Sequence, residues 1–587
     1  MKRVKKERIA DKDKESMLSK RISIILFSLI GIAFFFCMIT GSILADEGNI
    51  RWSGVWQPEG ESLIAGIPVI WVVLSGSLFC GLLSGILLTV MIYRKTQIRE
   101  SVAAPYGRRC FLLSWLLIFV AWVPYFLAYY PGIGSYDFSI QTGQIESGAY
   151  NDHHPIAHTL LIEGAMKLGG KLFGDVNGGI AFYSLVQMLL LSAVMAFVIT
   201  LLYTHKVQKG WLVALILYGM FFPFHGYLSV SVTKDTLFSV FFLMQMALLL
   251  FILDKDRNAL KPDLVDAGFF AVTLGVVLFR NNGRYALIVL LLFLVAAFCV
   301  SKGRRRLFGR ILGNAALGFV TGSVLLSVLF SVTGAQQGDR REMLSMPIQQ
   351  LARTMIYHGG VGVLEEDDNS MDEVSKSLIN DFILNEAYKE YRGDIADPVK
   401  RHTNTYVARY RPGDFVKTYG RLLLAYPGDY VNAVLAVNAG YLYPNDVSHS
   451  MINQVDAAEG EIGLGYVQTR WVESELTPRG IYKDSKWEWL YEKLEWFADG
   501  NKYLDIPVLK YLFVPGVYLW IYLLLAGYLL VHKRYTDLLP FGLILGYFGT
   551  LLLGPTVQLR YIYPVMICLP LFLLWFLRGK KEACQNV

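Results

Sequence analysis

The sequence predicts an all-α polytopic membrane protein of about twelve transmembrane helices, with one large, mainly helical extracytoplasmic domain. Three observations predict this fold class. The 587 residues are 54% hydrophobic and only 18% charged, whereas soluble proteins carry about 25% charged residues. Apolar runs long enough to cross about 30 Å of hydrocarbon recur along the chain. The segment 334–507 interrupts these runs with mixed polar and aromatic sequence and contains no run of that length.

The predicted spans are separated by short connections, apart from the large domain. The first span is longer than the core of a signal peptide and lacks a convincing cleavage site, so we expect it to stay in the protein. The predicted segments are a basic cytoplasmic N-terminus at 1–21, a transmembrane region at 22–333, the domain at 334–507, C-terminal transmembrane helices at 508–577 and a cytoplasmic tail at 578–587. The spans lie near 22–45, 68–93, 111–129, 178–203, 211–229, 236–253, 264–280, 284–301, 311–333, 508–531, 537–557 and 561–577.

Lysine and arginine in the short loops orient these spans. Basic residues crowd the first 21 residues and the connections 94–109 and 301–310, and positively charged loops stay in the cytoplasm. Both termini are therefore predicted to be cytoplasmic and the large domain extracytoplasmic. The net charge of +7 follows from these loops, so nucleic acid is not a predicted partner. The six cysteines have neither metal-ligand nor disulfide spacing.

Polar residues at the outer ends of the spans give the strongest functional signal. The outer loops are predicted at 46–67, 130–177, 230–235, 281–283, 334–507 and 558–560. A charge at membrane depth costs about 2.5 to 3.5 kcal/mol on insertion scales and is usually tolerated only beside a partner or a polar cavity. Topology therefore predicts a single outer-face site from Asp137, His153, His154, Lys234, Asp235, Arg280, Asn281, Asn282, Arg284, Gln558 and Arg560.

Individual members of this set also have purely structural explanations. Asp137, in GSYD, is suited to capping a helix. Lys234 and Asp235 are adjacent in sequence, so an ion pair between them across a tight outer turn is an equal alternative. Arg280 and Arg284 end a span, where arginines commonly reach lipid headgroups. These structural explanations are independent of one another. We therefore expect a single shared site rather than all of the structural explanations holding at once.

One carboxylate and several cations at an outer membrane face suit the transfer of a sugar from a polyprenyl phosphate. The phosphate leaving group is a weak base, so its departure needs positive charge or a metal more than a general acid. The acceptor hydroxyl needs a general base. A single carboxylate supplies that base in a one-step inverting displacement, whereas glycosidases use two carboxylates.

The motifs PGIGSYDFSIQ, with Asp137, and NDHHP, with His153 and His154, resemble the first major outer loop of the GT-C superfamily of membrane glycosyltransferases. RNNGRY and QLRYIYP resemble later outer-face motifs. More narrowly, the PG…S.D…Q…HP arrangement resembles an uncharacterised, bacterial DUF6020-like branch. The resemblance covers most of the spanning region and implies an inverting glycosyltransferase of a bacterial plasma membrane. The chain departs from many members in having two additional spans before this loop and a lone Asp137 in place of paired acids.

The chemistry and the resemblance together imply residue roles. Asp137 is the expected general base, and Lys234, Arg280, Arg284 and Arg560 are expected to hold the donor phosphate. Substrate contacts are also expected from His153, His154, Asp235, Asn281, Asn282 and Gln558. The cofactor is left open: a divalent cation, Mg²⁺ or Mn²⁺, would take Asp137, His154 or Asp235 as ligands. The expected partners are the lipid-linked donor, a cell-envelope glycan or protein acceptor, and the lipid bilayer.

Two other membrane functions stay open at this point. A transporter or flippase of a lipid-linked or anionic substrate usually places ionisable residues near the bilayer midplane and often has repeated halves. The sequence shows neither feature. An envelope polysaccharide polymerase or ligase also combines a large outer loop with lipid-linked substrates, and the sequence does not separate it from a glycosyltransferase.

Three tryptophans stand close together in the large domain. Trp487, Trp489 and Trp496 have spacings of two and seven residues, which put them on more than one face of a helix. Some of them are therefore predicted to lie in the core, with an acceptor-binding surface as the alternative.

Overall fold

The computed structural model describes most of the chain. The described residues are 2–48, 50, 52, 63–64, 67–93, 107–134, 136–254, 263–336, 338, 340–363, 369–404, 406, 410–445, 473–499 and 502–577. The predicted tail at 578–587 and most of the basic connection at 94–109 lie outside these ranges.

Helices account for nearly all of the described structure. Two two-residue strands, β1 (Leu63–Ile64) and β2 (Ile67–Pro68), pair as an antiparallel hairpin. The helices that precede the large domain are α1 (Lys2–Glu47), α2 (Val69–Tyr93), α3 (Gly107–Ala128), α4 (Tyr136–Ser147), α5 (Ile156–Leu172), α6 (Val176–Thr204), α7 (Lys209–Phe221), α8 (Pro223–Val230), α9 (Lys234–Asp254), α10 (Leu264–Phe279), α11 (Asn281–Val300) and α12 (Arg305–Thr333).

The remaining helices belong to the large domain and to the C-terminal spans. Those of the domain are α13 (Ser345–His358), α14 (Glu373–Phe382), α15 (Glu386–Lys389), α16 (Asp397–Arg401), α17 (Pro412–Ala425), α18 (Pro427–Val437), α19 (Ala439–Leu442), α20 (Glu473–Leu476) and α21 (Glu488–Asp499). The last four are α22 (Leu509–Leu512), α23 (Pro515–Val531), α24 (Leu539–Leu552) and α25 (Leu559–Leu577).

Nine of the described helices are long and apolar enough to cross a membrane, with mean hydropathy from 1.3 to 2.8. Helices α7 and α8 are bent by 52° relative to each other and make a tenth if they form one span. Two shorter apolar helices, α10 and α23, measure about 24 and 26 Å at 1.5 Å per residue, less than the hydrocarbon thickness of about 30 Å. Every predicted apolar run coincides with one of these helices or with the bent pair, and the count of about twelve spans stays a prediction.

Helices α9 and α25 form the centre of the bundle. In their most apolar windows 83% and 78% of the residues are buried, against 17% in α3. Helix α3 exposes leucine and valine side chains such as Leu113 and Val120, as a surface that meets lipid would. Because both central helices begin at the same end of the bundle, Lys234 at the start of α9 lies close to Arg560 at the start of α25.

The large domain has its own apolar core, in which Leu351, Phe382 and Tyr430 are buried. It packs on one end of the bundle, which we call the domain end. There the Ala396 amide donates to the Pro555 carbonyl at 2.7 Å, next to the start of α25. The side of the membrane on which the domain lies stays a prediction.

The prediction that some of the three tryptophans lie in the core is wrong. Trp487, Trp489 and Trp496 are 42%, 62% and 60% exposed. Helix α21 instead packs on the bundle through Tyr491, whose ring meets Tyr129 edge-on, and through Leu494. Aromatic spacing alone did not show which face of this helix meets the bundle.

Candidate active site

The loop between α3 and α4 is fixed to the loop between α8 and α9. Ile133 runs parallel to Ser231: its amide donates to the Val230 carbonyl at 2.8 Å, and its carbonyl accepts from the Val232 amide at 3.0 Å. The start of α4, which carries Asp137, is thereby held beside the start of α9. This backbone pairing joins two loops that are distant in sequence.

Gly132 allows this close approach. Its φ is +153°, a conformation that side-chain-bearing residues rarely adopt. A Cβ atom here would also collide with the Ser184 side chain and press on the Val230 carbonyl. Gly132 is thus required for the backbone path that places Asp137.

Asp137 is held by two cations from opposite parts of the chain. Lys234 Nζ donates to Asp137 Oδ2 at 2.7 Å. The guanidinium of Arg560 grips both carboxylate oxygens, at 3.1 Å to Oδ2 and 3.5 Å to Oδ1. A forked arginine–carboxylate contact fixes orientation as well as charge, so the carboxylate of α4 is oriented by the first turns of α9 and α25.

These cations determine the protonation state of Asp137. Burial alone would raise the pKa of the carboxyl group, but Arg560 and Lys234 hold that pKa well below its usual value. Asp137 is therefore ionised and, in this arrangement, a weak base.

His154 joins the cluster through Lys234. Its Nδ1 lies 2.9 Å from Lys234 Nζ, and burial followed by the Lys234 charge keeps the pKa of His154 well below its usual value. His153, by contrast, is exposed and packs edge-on against the His154 ring at 4.7 Å. Only one of the two adjacent histidines therefore contacts the charged cluster.

A second ion pair lies behind the first. Asp235, fully buried, pairs with Arg280, and its other carboxylate oxygen is 3.7 Å from Nε of Arg560. Arg280 also lies over the Tyr561 ring at 4.6 Å. Three cations, Lys234, Arg280 and Arg560, thus meet two carboxylates, and the connected cluster carries one surplus positive charge.

The alternative ion pair between Lys234 and Asp235 does not form. Lys234 pairs with Asp137, and Asp235 pairs with Arg280. Consecutive helix positions point about 100° apart, so adjacent residues at the start of α9 reach different partners.

The remaining predicted members lie at the margin of the cluster. Gln558 accepts from Nε of Arg560 at 2.8 Å and so helps to orient it. Arg284 donates to Asn281 of its own helix turn at 2.6 Å, with Asn282 half-buried beside them. Among the described contacts, none links Arg284 or these asparagines to Asp137 or Asp235.

A buried polar network that the sequence analysis did not assign to the site supports it. The amide nitrogen of Gln187 donates to the carbonyls of Leu228, Ser229 and Ser231, at 3.3, 3.0 and 2.8 Å, and so holds the loop before Lys234. Its amide oxygen accepts from Tyr183 at 3.2 Å. A glutamine inside an apolar span is a usable signal, and its spacing of four from Tyr183 puts both on one helix face.

The same network continues to helix α4. The Tyr183 hydroxyl lies 2.8 Å from Nε2 of His158, and Nδ1 of His158 lies 3.1 Å from Oε1 of Gln141, on the helix that carries Asp137. Burial lowers the pKa of His158 to about 3, so the ring is neutral. Neither Gln141 nor His158 has a sequence pattern that distinguishes it from an ordinary interfacial residue.

Residues 473–486 of the large domain, which we call the strap, cross the outside of α4. Leu476 and Ile481 are buried in the same apolar cluster as Phe138. Arg479 donates to the Ser139 carbonyl at 3.1 Å and pairs with Glu146 at 2.8 Å. The domain is therefore fixed directly to the helix that carries Asp137.

The sequence left a divalent cation open, with Asp137, His154 or Asp235 as its ligands. Within the part of the chain that the structure describes, no three His, Cys, Asp or Glu side chains come together as a metal site. Asp137 and His154 each direct an acceptor atom at the ammonium group of Lys234, which occupies the position that a shared cation would take. The residues present suit an anion better than a metal ion.

A bundle of apolar helices with a buried charged cluster at its domain end defines a multi-pass membrane protein. The chain belongs to the DUF6020 family, described as a family of unknown function, whose model matches residues 145–587. The match begins after Asp137 and includes the histidines, Lys234 and Arg560. Neither the curated proteins nor the solved structures contain a match to the chain.

Proposed function

We propose that this protein is an inverting glycosyltransferase that moves a sugar from a polyprenyl-phosphate carrier to an extracytoplasmic cell-envelope acceptor. One observation carries the proposal: Asp137 is held by Lys234 and Arg560 in a buried cluster with surplus positive charge, at one end of an apolar bundle. A lipid tail fits beside the bundle while its phosphate meets these cations.

The chemistry follows from competition for the two cations. A donor phosphate draws Lys234 and Arg560 away from Asp137 and is stabilised by them as the bond from the sugar C1 to the phosphate oxygen breaks. Asp137, relieved of two positive charges, becomes a stronger base. It then accepts the proton of the acceptor hydroxyl, whose oxygen forms the new bond to C1 from the opposite face.

The phosphate-binding set is narrower in this proposal than the sequence predicted. Arg280 is paired with Asp235, whose other carboxylate oxygen lies 3.7 Å from Nε of Arg560, so Arg280 positions the site. Arg284 is bonded within its own helix and suits a lipid headgroup. Lys234 and Arg560 are therefore the cations assigned to the donor phosphate.

The transporter alternative is weaker for a structural reason. Two polar residues inside the spans have supporting roles: His225 contacts the Tyr563 hydroxyl at 2.8 Å, and Gln187 holds backbone carbonyls. The charged cluster lies at one end of the bundle, whereas transporters usually bind near the midplane.

Asp137→Asn tests the proposal. We expect sugar transfer by the purified chain to fall at least about a hundredfold, because a positioned base contributes about 10²- to 10⁴-fold. Lys234 and Arg560 lose their counter-charge in this variant, so its thermal unfolding must be measured in parallel. Asp152→Asn is the matched control, since Asp152 accepts the Gly338 amide outside the cluster.

Cells that lack the protein give a second test. Mass spectrometry of their lipid extracts should show an accumulated polyprenyl-phosphate sugar together with a missing envelope decoration. Near-normal turnover by a folded Asp137→Asn protein would remove Asp137 from the role of base. Accumulation without a missing decoration would favour transport.

A further inference from the structure

Among the described residues, one ring nitrogen of His154 has a hydrogen-bond partner and the other, which is buried, has none. Its Nδ1 lies 2.9 Å from Lys234 Nζ. Its Nε2 is buried and has no hydrogen-bond partner among the described residues. An unpaired buried donor or acceptor costs about 1–3 kcal/mol, so such an atom inside a charged cluster needs an explanation.

The contact with Lys234 fixes which nitrogen carries the proton. A lysine ammonium group has three donors and no acceptor, and the Asp137 carboxylate at 2.7 Å favours the charged form of Lys234. His154 Nδ1 must therefore accept, and in the neutral ring the proton lies on Nε2. The unpartnered atom is thus a hydrogen-bond donor.

We propose that Lys234 holds His154 as its Nε2–H tautomer so that the histidine donates to an anionic phosphate oxygen bound beside Asp137 and does not ligate a metal ion. This inference rests on the proposed function and deepens it by naming a third phosphate contact. Metal ligation through Nε2 would need a lone pair there, which would move the proton to Nδ1 and set it against the ammonium group of Lys234. The surplus positive charge of the cluster favours the same class of ligand.

Two substitutions separate this role from simple packing. His154→Gln keeps one acceptor for Lys234 and one N–H donor, whereas His154→Phe keeps a ring and removes both. We expect His154→Phe to weaken binding of polyprenyl monophosphate about tenfold and His154→Gln to stay within about threefold of wild type. His532→Phe is the control, because this exposed histidine lies at the far end of α23.

Binding is measured on the full-length chain in detergent, by native mass spectrometry with added polyprenyl monophosphate. In a parallel experiment, inorganic phosphate is added as a competitor. Displacement of polyprenyl monophosphate would show that the protein recognises the phosphate group itself. Failure of inorganic phosphate to compete would show that the protein recognises the lipid-bound phosphate. Wild-type protein is also measured with EDTA and with added Mn²⁺, and we expect unchanged binding in both.

Equal loss in the Gln and Phe variants, or wild-type affinity in the Phe variant, would overturn the donor role. Loss with EDTA that Mn²⁺ restores in wild type but not in His154→Phe would make His154 a metal ligand instead. The proposed function can fail separately from this inference. If the chain binds phosphate through His154 but transfers no sugar, the donor role of His154 stands and the glycosyltransferase proposal is wrong. If the chain transfers sugar and His154→Phe leaves the donor KM unchanged, the glycosyltransferase proposal stands and the donor role of His154 is wrong.

Discussion

A carboxylate held by two cations is a poor base, and this property of Asp137 determines what its neighbours contribute. Lys234 and Arg560 suppress its proton affinity while they bind it, and the same two groups are the ones a phosphate would recruit. In the proposed mechanism, the base strength of Asp137 and the binding of the donor phosphate are therefore coupled through shared contacts. At the scale of a single residue, changing either cation must affect both properties.

Lys234→Met tests whether these two properties are coupled. With one cation gone, the pKa of Asp137 rises, so the acid limb of the kcat/KM profile moves to higher pH. The donor KM rises as well, because the phosphate loses a contact. Both shifts are read from rates at several pH values and donor concentrations, with Lys209→Met, an exposed lysine at the start of α7, as control. An unchanged acid limb would mean that Lys234 does not control the ionisation of Asp137.

At the scale of the element, the site depends on side chains and segments that fix α4 and the loop before α9 in place. Gln187 on α6 bonds three carbonyls of the segment that leads into α9, and the strap holds α4 from the opposite side. The geometry around Asp137 therefore depends on side chains outside the charged cluster.

Gln187→Leu should lower the stability of the folded chain by about 1 to 3 kcal/mol, because it removes the amide donor to the buried Ser229 carbonyl. The Leu228 and Ser231 carbonyls keep bonds from Thr236 and Thr233. Gln245→Leu is the matched control: Gln245 is equally buried, but its amide nitrogen has no partner among the described residues. Its loss should cost less than about 1 kcal/mol, since Thr273 retains its bond to the Phe269 carbonyl. Thermal unfolding in detergent compares the two, and equal destabilisation would contradict the role given to Gln187.

Sequence patterns could predict the helices and the gathering of charges, but not the pairing within the cluster. Hydropathy places the apolar runs, and alternation of loops brings Asp137, Lys234 and Arg560 to one end of the bundle. Whether Lys234 meets Asp137 or Asp235 depends on helix rotation, which tertiary packing sets. The network through Gln141 and His158 depends on packing in the same way, so neither residue could be identified from spacing.

For the whole molecule, the open question is which way the bundle faces. The twelve-span topology puts Ser147, at the end of α4, outside and Tyr535, before α24, inside. In a chain without its native cysteines, Ser147→Cys should react with a membrane-impermeant maleimide in intact cells. Tyr535→Cys should react only after permeabilisation. Labelling of both positions in intact cells would contradict this topology.

The contact between Asp137 and Arg560 has a consequence for biosynthesis. Lys234 emerges from the ribosome 97 residues after Asp137, but Arg560 emerges 423 residues after it. Until α25 docks, the two carboxylates of the described cluster are balanced by Lys234 and Arg280. The cluster gains its surplus positive charge only when α25 is in place, so its attraction for anions arises late in the assembly of the bundle.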